Sequence, residues 1–179
     1  IVYDFNPFAI DIANFPYEIF RRLSRNVLSE SNHELFLSGD RQGDPDLRSA
    51  IAKYLHASRG VSCTADSIVI GAGTGYLLQL LSDLLAGKDR SLRLIAFENP
   101  SYRKACQIVT ALGYRTTALP LDSEGLRVDK LDASGADIAY VTPSHQYPLG
   151  TIMSVKRRMD LLDWAAAKPD RYIIEDDHD

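Results

Sequence analysis

Residues 67–85, SIVIGAGTGYLLQLLSDLL, contain the pattern from which the fold class is predicted. Its apolar run at residues 67–70 predicts a buried strand, because a strand covered on both faces reads as a short uninterrupted apolar run. Alternating glycines over residues 71–75 lead into a leucine-rich segment that is typical of a helix packed on a core. A strand, a glycine turn and a helix in direct succession form the first part of a βαβ unit.

The same alternation continues towards the carboxyl terminus. Strands and helices in turn form a mostly parallel sheet with helices on both faces, so we predict an α/β fold of three layers. The predicted strands are residues 94–97, 114–119, 137–141 and 172–174, and the predicted helices are residues 101–112 and 154–164.

Two helix-start signals precede the glycine turn. Pro16 opens a helical pattern that continues to Val27. Asp44 followed by Pro45 is a cap and a first-turn proline, and Gly60 can end the helix that they start.

The domain organisation is expected to have two parts. Residues 1–60 form a helical and extended segment, and residues 61–179 form a partial α/β domain. The sequence begins at Ile1 without a methionine and stops inside an acidic run, so we expect a segment of a longer protein.

Composition excludes several classes of protein. Hydrophobic residues make up 45% and charged residues 25%, which is typical of a globular domain, and the net charge of −4 disfavours nucleic-acid binding by this segment itself. No apolar run is long enough to predict a membrane span. Cys63 and Cys106 are far apart in the sequence and are expected to be reduced thiols, as in a cytoplasmic protein.

Polar residues collect where the predicted strands end, which is the edge where parallel sheets bind ligands. The glycine turn at 71–75 has two open interpretations: a phosphate site made by helix N-terminal amides, or a turn that needs glycine for steric reasons alone. A dinucleotide site is a third possibility, with Glu98 as the ribose-binding acid, but the spacing is G-x-G-x-G rather than G-x-G-x-x-G.

Two further strand ends carry candidate groups. Tyr102 could stack on a flat heterocycle, or it could cover the core at a helix start. The acidic run at 175–179 could bind a hard cation, form a solvated loop, or place one carboxylate against a protonated ring nitrogen. Ser144 and His145 are neighbours on an extended segment and therefore face opposite sides, and the four histidines show no metal-ligand spacing, so no metal site is predicted.

Seven short motifs together resemble the fold-type-I aminotransferase fold, in the form used by the MocR branch of the GntR transcription regulators. The Thr-Pro-Ser-His-Gln run and the Glu-Asp-Asp run are the motifs most specific to that branch. The motifs lie at residues 43–48, 59–61, 70–73, 98–102, 140–148, 157–158 and 174–177.

The resemblance implies pyridoxal 5′-phosphate as the cofactor of the intact protein. It also implies one role for each matching position. It assigns the phosphate cup to Ala72, Gly73 and Thr74, ring stacking to Tyr102, the pyridine-nitrogen carboxylate to Asp176, and a contact with the ring hydroxyl oxygen to His178.

Three positions depart from the family pattern. Tyr147-Pro148-Leu149-Gly150 stands where many aminotransferases have Asn-Pro-Thr-Gly, so the asparagine that bonds the ring oxygen is absent. His178 stands where the family usually has a tyrosine that contacts the ring hydroxyl oxygen. The tyrosine that the family often has near Ser38, where it reaches the phosphate bound by the partner subunit, is absent.

The function implied by the resemblance is the effector-sensing domain of a MocR-type regulator. The alternative is part of a catalytic aminotransferase that acts on an amino acid. An amino acid or amine is the expected effector or substrate, a homodimer is the expected assembly, and DNA would be bound only through an N-terminal winged helix-turn-helix outside this segment. No lysine here matches the family's Schiff-base lysine, so this segment alone is expected to be inactive.

Overall fold

The structure, a computed structural model, describes residues 12–87 and 89–178. Residues 1–11 of the predicted N-terminal segment and Asp179 of the acidic run lie outside the described residues. The chain divides into two compact units, Ile1–Ile70 and Gly71–Asp179, and each is described by itself.

The first unit is helical where the sequence predicts helices. The Asp44 side chain accepts a hydrogen bond from the Leu47 amide at 3.0 Å, and Gly60 ends the second helix in the left-handed conformation, so both predicted caps are confirmed. The elements are α1 (Tyr17–Val27), a 3-10 helix (Glu30–Phe36), α2 (Pro45–Arg59) and a 3-10 helix (Ala65–Ser67).

The strand predicted at residues 67–70 is wrong. Ser67 ends a 3-10 helix, and the residues after it are extended without joining a sheet in the described part of the chain. The Ile70 amide donates one hydrogen bond to the Gln42 carbonyl at 2.7 Å, and Val69 remains 43% exposed. An apolar run becomes a strand only when a neighbouring strand pairs with it, and residues 12–87 and 89–178 provide no such partner for this run.

The second unit holds a five-stranded sheet in the order β3-β2-β1-β4-β5. All neighbouring pairs are parallel except β2 with β3, which is a short antiparallel pair. The elements are α3 (Thr74–Leu85), a 3-10 helix (Arg90–Leu92), β1 (Leu94–Asn99), α4 (Arg103–Ala111), β2 (Arg115–Asp122), β3 (Gly125–Leu126), α5 (Val128–Ser134), β4 (Ile138–Val141), α6 (Val155–Ala166) and β5 (Tyr172–Glu175).

Helices cover both faces of this sheet. Leu78 of α3 and Val109 of α4 pack with Phe97 on one face. Leu131 of α5 and Trp164 of α6 belong to the core cluster of the other face. The predicted three-layer α/β fold is therefore confirmed.

Two further properties of the described residues concern membrane-spanning helices and the cysteines. Within residues 12–87 and 89–178, no helix combines the length and the apolar composition needed to cross a membrane. Cys63 and Cys106 carry free, partly buried thiols.

Candidate functional site

The candidate site lies at the edge where β1, β4 and β5 end. Phe97 pairs with Tyr140 in the β1–β4 ladder, and Val141 pairs with Glu175 in the β4–β5 ladder. The strands are parallel, so the polar segments that follow them leave the sheet on the same side.

Asp176 is held at this edge by its own backbone and by a buried tyrosine. Its amide donates to the Val141 carbonyl at 2.9 Å, and the Tyr140 hydroxyl donates a hydrogen bond to its Oδ2 atom. Burial, and then the bond to Asp176, raises the pKa of Tyr140 far above its ordinary value, so this side chain remains a neutral donor. Oδ1 of Asp176 accepts no hydrogen bond within the described part of the chain.

Three rings extend this edge. The rings of Tyr102 and Tyr147 are 6.0 Å apart and perpendicular, and those of Tyr147 and His178 are 5.9 Å apart and nearly perpendicular. Nε2 of His178 also lies 2.9 Å from the carbonyl oxygen of His145. Tyr147 thus connects two of the residues predicted to bind the cofactor, Tyr102 and His178.

The glycine turn points the start of α3 at the same edge. Tyr114 and Arg93, at the amino ends of β2 and β1, donate to the carbonyls of Ser82 and Leu85 near the end of α3. This helix of 12 residues is about 18 Å long, so its first turn lies towards the carboxyl ends of the strands.

The first turn of α3 has exposed backbone donors. Gly73 is the residue before the helix, and no side chain caps it. The amides of Thr74, Gly75 and Tyr76 precede the first hydrogen bond of the helix, from Leu77 to Gly73, and the described residues offer them no acceptor. Ala72, Gly73 and Thr74 are exposed, so an anion could approach these donors.

The predicted residues share this edge without sharing one cavity. A cavity of about 520 Å³ lies beside Tyr102 and Tyr147, but Gly73, Asp176 and His178 do not line it. Tyr102 is partly buried and packs against the core cluster under α3 and α4, so it both covers the core and offers a ring. The complete lining of the cavity is Asn99, Pro100, Ser101, Tyr102, Arg103, Lys104, Tyr147 and Pro148.

Glu98 does not face a ligand. Its side chain is 2% exposed, and Oε2 accepts hydrogen bonds from the Thr142 hydroxyl at 2.7 Å and from Gln146 Nε2 at 3.2 Å. The carboxyl group is thus enclosed by its own protein, and a ribose could not reach it. The dinucleotide interpretation of Glu98 is therefore wrong.

Burial makes the contribution of Glu98 to the stability of the fold depend on pH. It raises the pKa of the carboxyl group above the ordinary 4.5, and the hydrogen bonds from Thr142 and Gln146 oppose this shift only in part. The folded state therefore holds this proton more tightly than the unfolded state does. The contribution of this raised pKa to the free energy of unfolding is complete below pH 4.5 and is lost as the pH rises through the folded-state pKa.

We expect Glu98→Gln, which mimics the neutral acid, to remove this dependence. The free energy of unfolding of the wild type, measured in urea from pH 4 to pH 8, should fall relative to that of the variant as the pH rises. Glu34→Gln makes the same chemical change at an exposed position and is the control. A difference for Glu98→Gln that does not change with pH would show that folding leaves the pKa of Glu98 unchanged, which would contradict the expected upward shift.

Sequence reasoning assigned no role to Tyr140, Thr142 or Gln146. Each is almost fully buried and polar, and each bonds a group that lies more than thirty residues away in the sequence. The available signal for Thr142 and Gln146 was their position after an apolar strand, whereas Tyr140 lies inside β4 and gives no such signal. The described residues contain no group of three or more carboxylate, imidazole or thiol side chains that could hold a metal ion.

Residues 11–177 match the family described as aminotransferase class I and II. The chain belongs to this family. The match covers both compact units and almost all of the described residues.

Several curated proteins that are similar to the chain are transcription regulators. The chain is 39% identical to the uncharacterized HTH-type transcriptional regulator YdeL of Bacillus subtilis, over 98% of the chain and 37% of the relative. It is 31% identical to the probable rhizopine catabolism regulatory protein MocR of Rhizobium meliloti, over 98% of the chain and 35% of the relative. It is 28% identical to aromatic-amino-acid aminotransferase 1 of Thermococcus litoralis, over 90% of the chain and 40% of that protein.

Solved structures of aminotransferases share the fold. Kynurenine aminotransferase of Pyrococcus horikoshii superposes with a TM-score of 0.80 at 26% identity, over 91% of this chain and 41% of that one. An archaeal alanine:glyoxylate aminotransferase gives 0.77 at 29% identity, over 89% and 40%. The chain thus spans well under half the length of the proteins that it matches.

Proposed function

We propose that the chain is the cofactor-binding part of an effector domain in a helix-turn-helix transcription regulator, and that its cofactor is pyridoxal 5′-phosphate. The observation that carries the proposal is the grouping at one sheet edge of an uncapped helix start, a partly buried tyrosine ring and a carboxylate with one free oxygen. These groups match the three parts of a phosphorylated pyridine: an anion, a flat ring and a basic nitrogen.

The residues at this edge fit that cofactor. Amides of the turn around Ala72, Gly73 and Thr74 would bind the phosphate, because helix N-termini stabilise anions. Tyr102 would stack on the ring. Asp176 would bind the ring nitrogen through Oδ1, since Tyr140 already occupies Oδ2. His178, whose ring lies against Tyr147, would contact the ring oxygen.

Each of these side chains has a separate chemical effect. When bound, pyridoxal phosphate supplies an aldehyde that reacts with primary amines and a protonated ring that withdraws electrons. Asp176 would keep the ring nitrogen protonated, because a neighbouring negative charge raises the pKa of a base. Tyr140 holds the carboxylate in one orientation, and the Tyr102 ring would stack on the cofactor ring.

The relatives favour a regulator over an enzyme. The curated regulators reach 38% and 39% identity, whereas the aminotransferase of Thermococcus litoralis reaches 28%. The expected effector is an amino acid or another amine, and the intact protein would be a cytoplasmic homodimer that binds DNA through a separate N-terminal domain. A catalytic aminotransferase is the second candidate, favoured by the structural match at a TM-score of 0.80.

Binding of pyridoxine 5′-phosphate tests the proposal. This analogue has no aldehyde, so lysine adducts cannot confuse the measurement. We expect isothermal titration calorimetry to show one site per chain, and binding about tenfold or more weaker for pyridoxine, which lacks the phosphate. Equal affinity for both compounds, or no binding of either, would contradict the proposal.

The parent gene separates the two candidates. A winged helix-turn-helix encoded upstream of this segment would select the regulator. In that case, purified full-length protein with cofactor should bind DNA in a manner that an amine alters. A full-length protein without such a domain that converts an amino acid and a 2-oxo acid would select the enzyme.

A further inference from the structure

The Gln146 side chain is the centre of a buried hydrogen-bond network. It is 2% exposed, and Nε2 donates to Glu98 Oε2 at 3.2 Å, to the Pro100 carbonyl at 2.8 Å and to the Tyr147 carbonyl at 2.7 Å. Oε1 accepts from the Leu149 amide at 3.0 Å. The amide therefore uses both of its donor hydrogens and its acceptor inside the protein.

Glu98 and Thr142 continue the same network. Oε2 of Glu98 accepts from both the hydroxyl and the amide of Thr142, and the hydroxyl oxygen of Thr142 accepts from the Tyr147 amide at 3.2 Å. Oε1 of Glu98 is buried without a hydrogen-bond partner among the described residues, whereas the other polar groups of the network are paired. Such a network favours one conformation, because an alternative leaves further buried polar groups without partners.

This network joins the two loops that carry aromatic rings. One loop follows β1 and contains Pro100 and Tyr102, and the other follows β4 and contains Tyr147. The β1–β4 ladder ends at Phe97 and Tyr140. Beyond that pair, the hydrogen bonds between the two loops within the described residues pass through Glu98, Thr142 or Gln146.

We infer that Gln146 is a positioning residue, which fixes the Tyr102 ring relative to the Tyr147 ring and so shapes the wall against which the pyridine stacks. The part of the inference that concerns the pyridine rests on the proposed function. The part that concerns the two rings rests on the network alone, and the two can be measured separately.

Gln146→Glu is the decisive variant. It replaces the donor Nε2 with an oxygen, so the bonds to Pro100 and Tyr147 are lost and a second carboxyl group meets Glu98. We expect the nuclear Overhauser contact between the rings of Tyr102 and Tyr147 to disappear. We also expect the affinity for pyridoxine 5′-phosphate to fall about tenfold. Gln107→Glu, at an exposed position on α4, is the matched control and should change neither quantity.

Thr142 provides a second, milder pair of variants. Thr142→Val removes the hydroxyl group that links Glu98 to Tyr147, whereas Thr142→Ser retains it. Valine should therefore weaken the ring contact and the affinity, and serine should restore both. This pair keeps the test valid if Gln146→Glu fails to fold, which urea unfolding would reveal.

The outcomes distinguish the two levels of the inference. An intact ring contact in both Gln146→Glu and Thr142→Val would overturn the positioning role. Loss of the ring contact with unchanged affinity would overturn the link to the cofactor. If the wild type binds no pyridoxine 5′-phosphate and the variants lose the ring contact, the proposed function is contradicted and the positioning role is supported.

Discussion

Asp176→Asn is expected to weaken binding of pyridoxine 5′-phosphate by about 10- to 100-fold, because a hydrogen bond to a charged group contributes about 1.5–3 kcal/mol. The asparagine keeps the size and one acceptor of the aspartate but carries no negative charge. Without that charge, the protonated form of the ring nitrogen loses its partner. Calorimetric titration of both chains at one pH measures the difference.

The control for this experiment is the next residue. Asp177→Asn makes the same chemical change one position further along the chain, at an exposed side chain. We expect this variant to bind with wild-type affinity at moderate ionic strength, where charges at a distance are screened. Equal losses in both variants would show that general negative charge, rather than the carboxylate bonded by Tyr140, governs binding.

A spectroscopic measurement adds a second readout for Asp176. The absorbance of the bound pyridine reports whether its nitrogen is protonated. In the wild type the protonated spectrum should persist to higher pH than it does in free solution, because the carboxylate raises the pKa of the nitrogen. In Asp176→Asn the spectrum should titrate at lower pH than in the wild type.

The sheet could be predicted because its strands are locally distinctive. β1, β4 and β5 are short apolar runs that end in polar residues, and each is preceded or followed by a helical pattern. The run at residues 67–70 has the same local appearance but does not join the sheet. Pairing depends on residues far away in the sequence, so the apolar pattern alone cannot distinguish these cases.

The short elements β3 and α5 of the second unit could not be predicted from hydrophobic periodicity. Strand β3 has two residues, Gly125 and Leu126, and helix α5 has seven. Two strand residues span one period of the strand pattern and seven helical residues span about two turns, which is too short for a reliable amphipathic signal. They are specified instead by contacts such as the burial of Leu126 and Leu131 in one core cluster.

The positions of Tyr102 and Asp176 just after strands could be predicted from the sequence, whereas the contacts of the buried residues beside them could not. Tyr102 and Asp176 follow strand ends, where the fold predicts ligands. Tyr140 lies inside an apolar strand, and only the structure shows that its hydroxyl reaches Asp176. Gln146 likewise bonds Pro100, 46 residues away, and no spacing rule predicts such a contact.

Gly73→Ala is expected to affect the phosphate end of the site and the stability of the chain together. Gly73 has φ 88° and ψ 169°, a backbone conformation that is almost restricted to glycine. A side chain there costs about 1–3 kcal/mol in backbone strain, although no described residue other than its two chain neighbours has an atom within 4 Å of the added Cβ. We expect the free energy of unfolding to fall by about this amount.

The same substitution should displace the donors that follow it. Relief of the strain would rotate the peptide groups at the start of α3, so the amides of Thr74 and Gly75 would no longer converge on an anion. We therefore expect binding of pyridoxine 5′-phosphate to weaken about tenfold or more, while binding of pyridoxine changes little. Calorimetry with the two compounds measures the phosphate contribution directly.

Gly113→Ala separates loss of stability from loss of the phosphate site. Gly113 also has a positive φ, 95°, and among the described residues only its chain neighbours come within 4 Å of an added Cβ. It lies just before β2, at the opposite edge of the sheet. Both variants should lower the urea midpoint, and only Gly73→Ala should reduce the difference in affinity between the phosphorylated and unphosphorylated compounds. Equal binding by both variants would place the phosphate elsewhere and leave the glycines at 71–75 as a steric requirement of the turn.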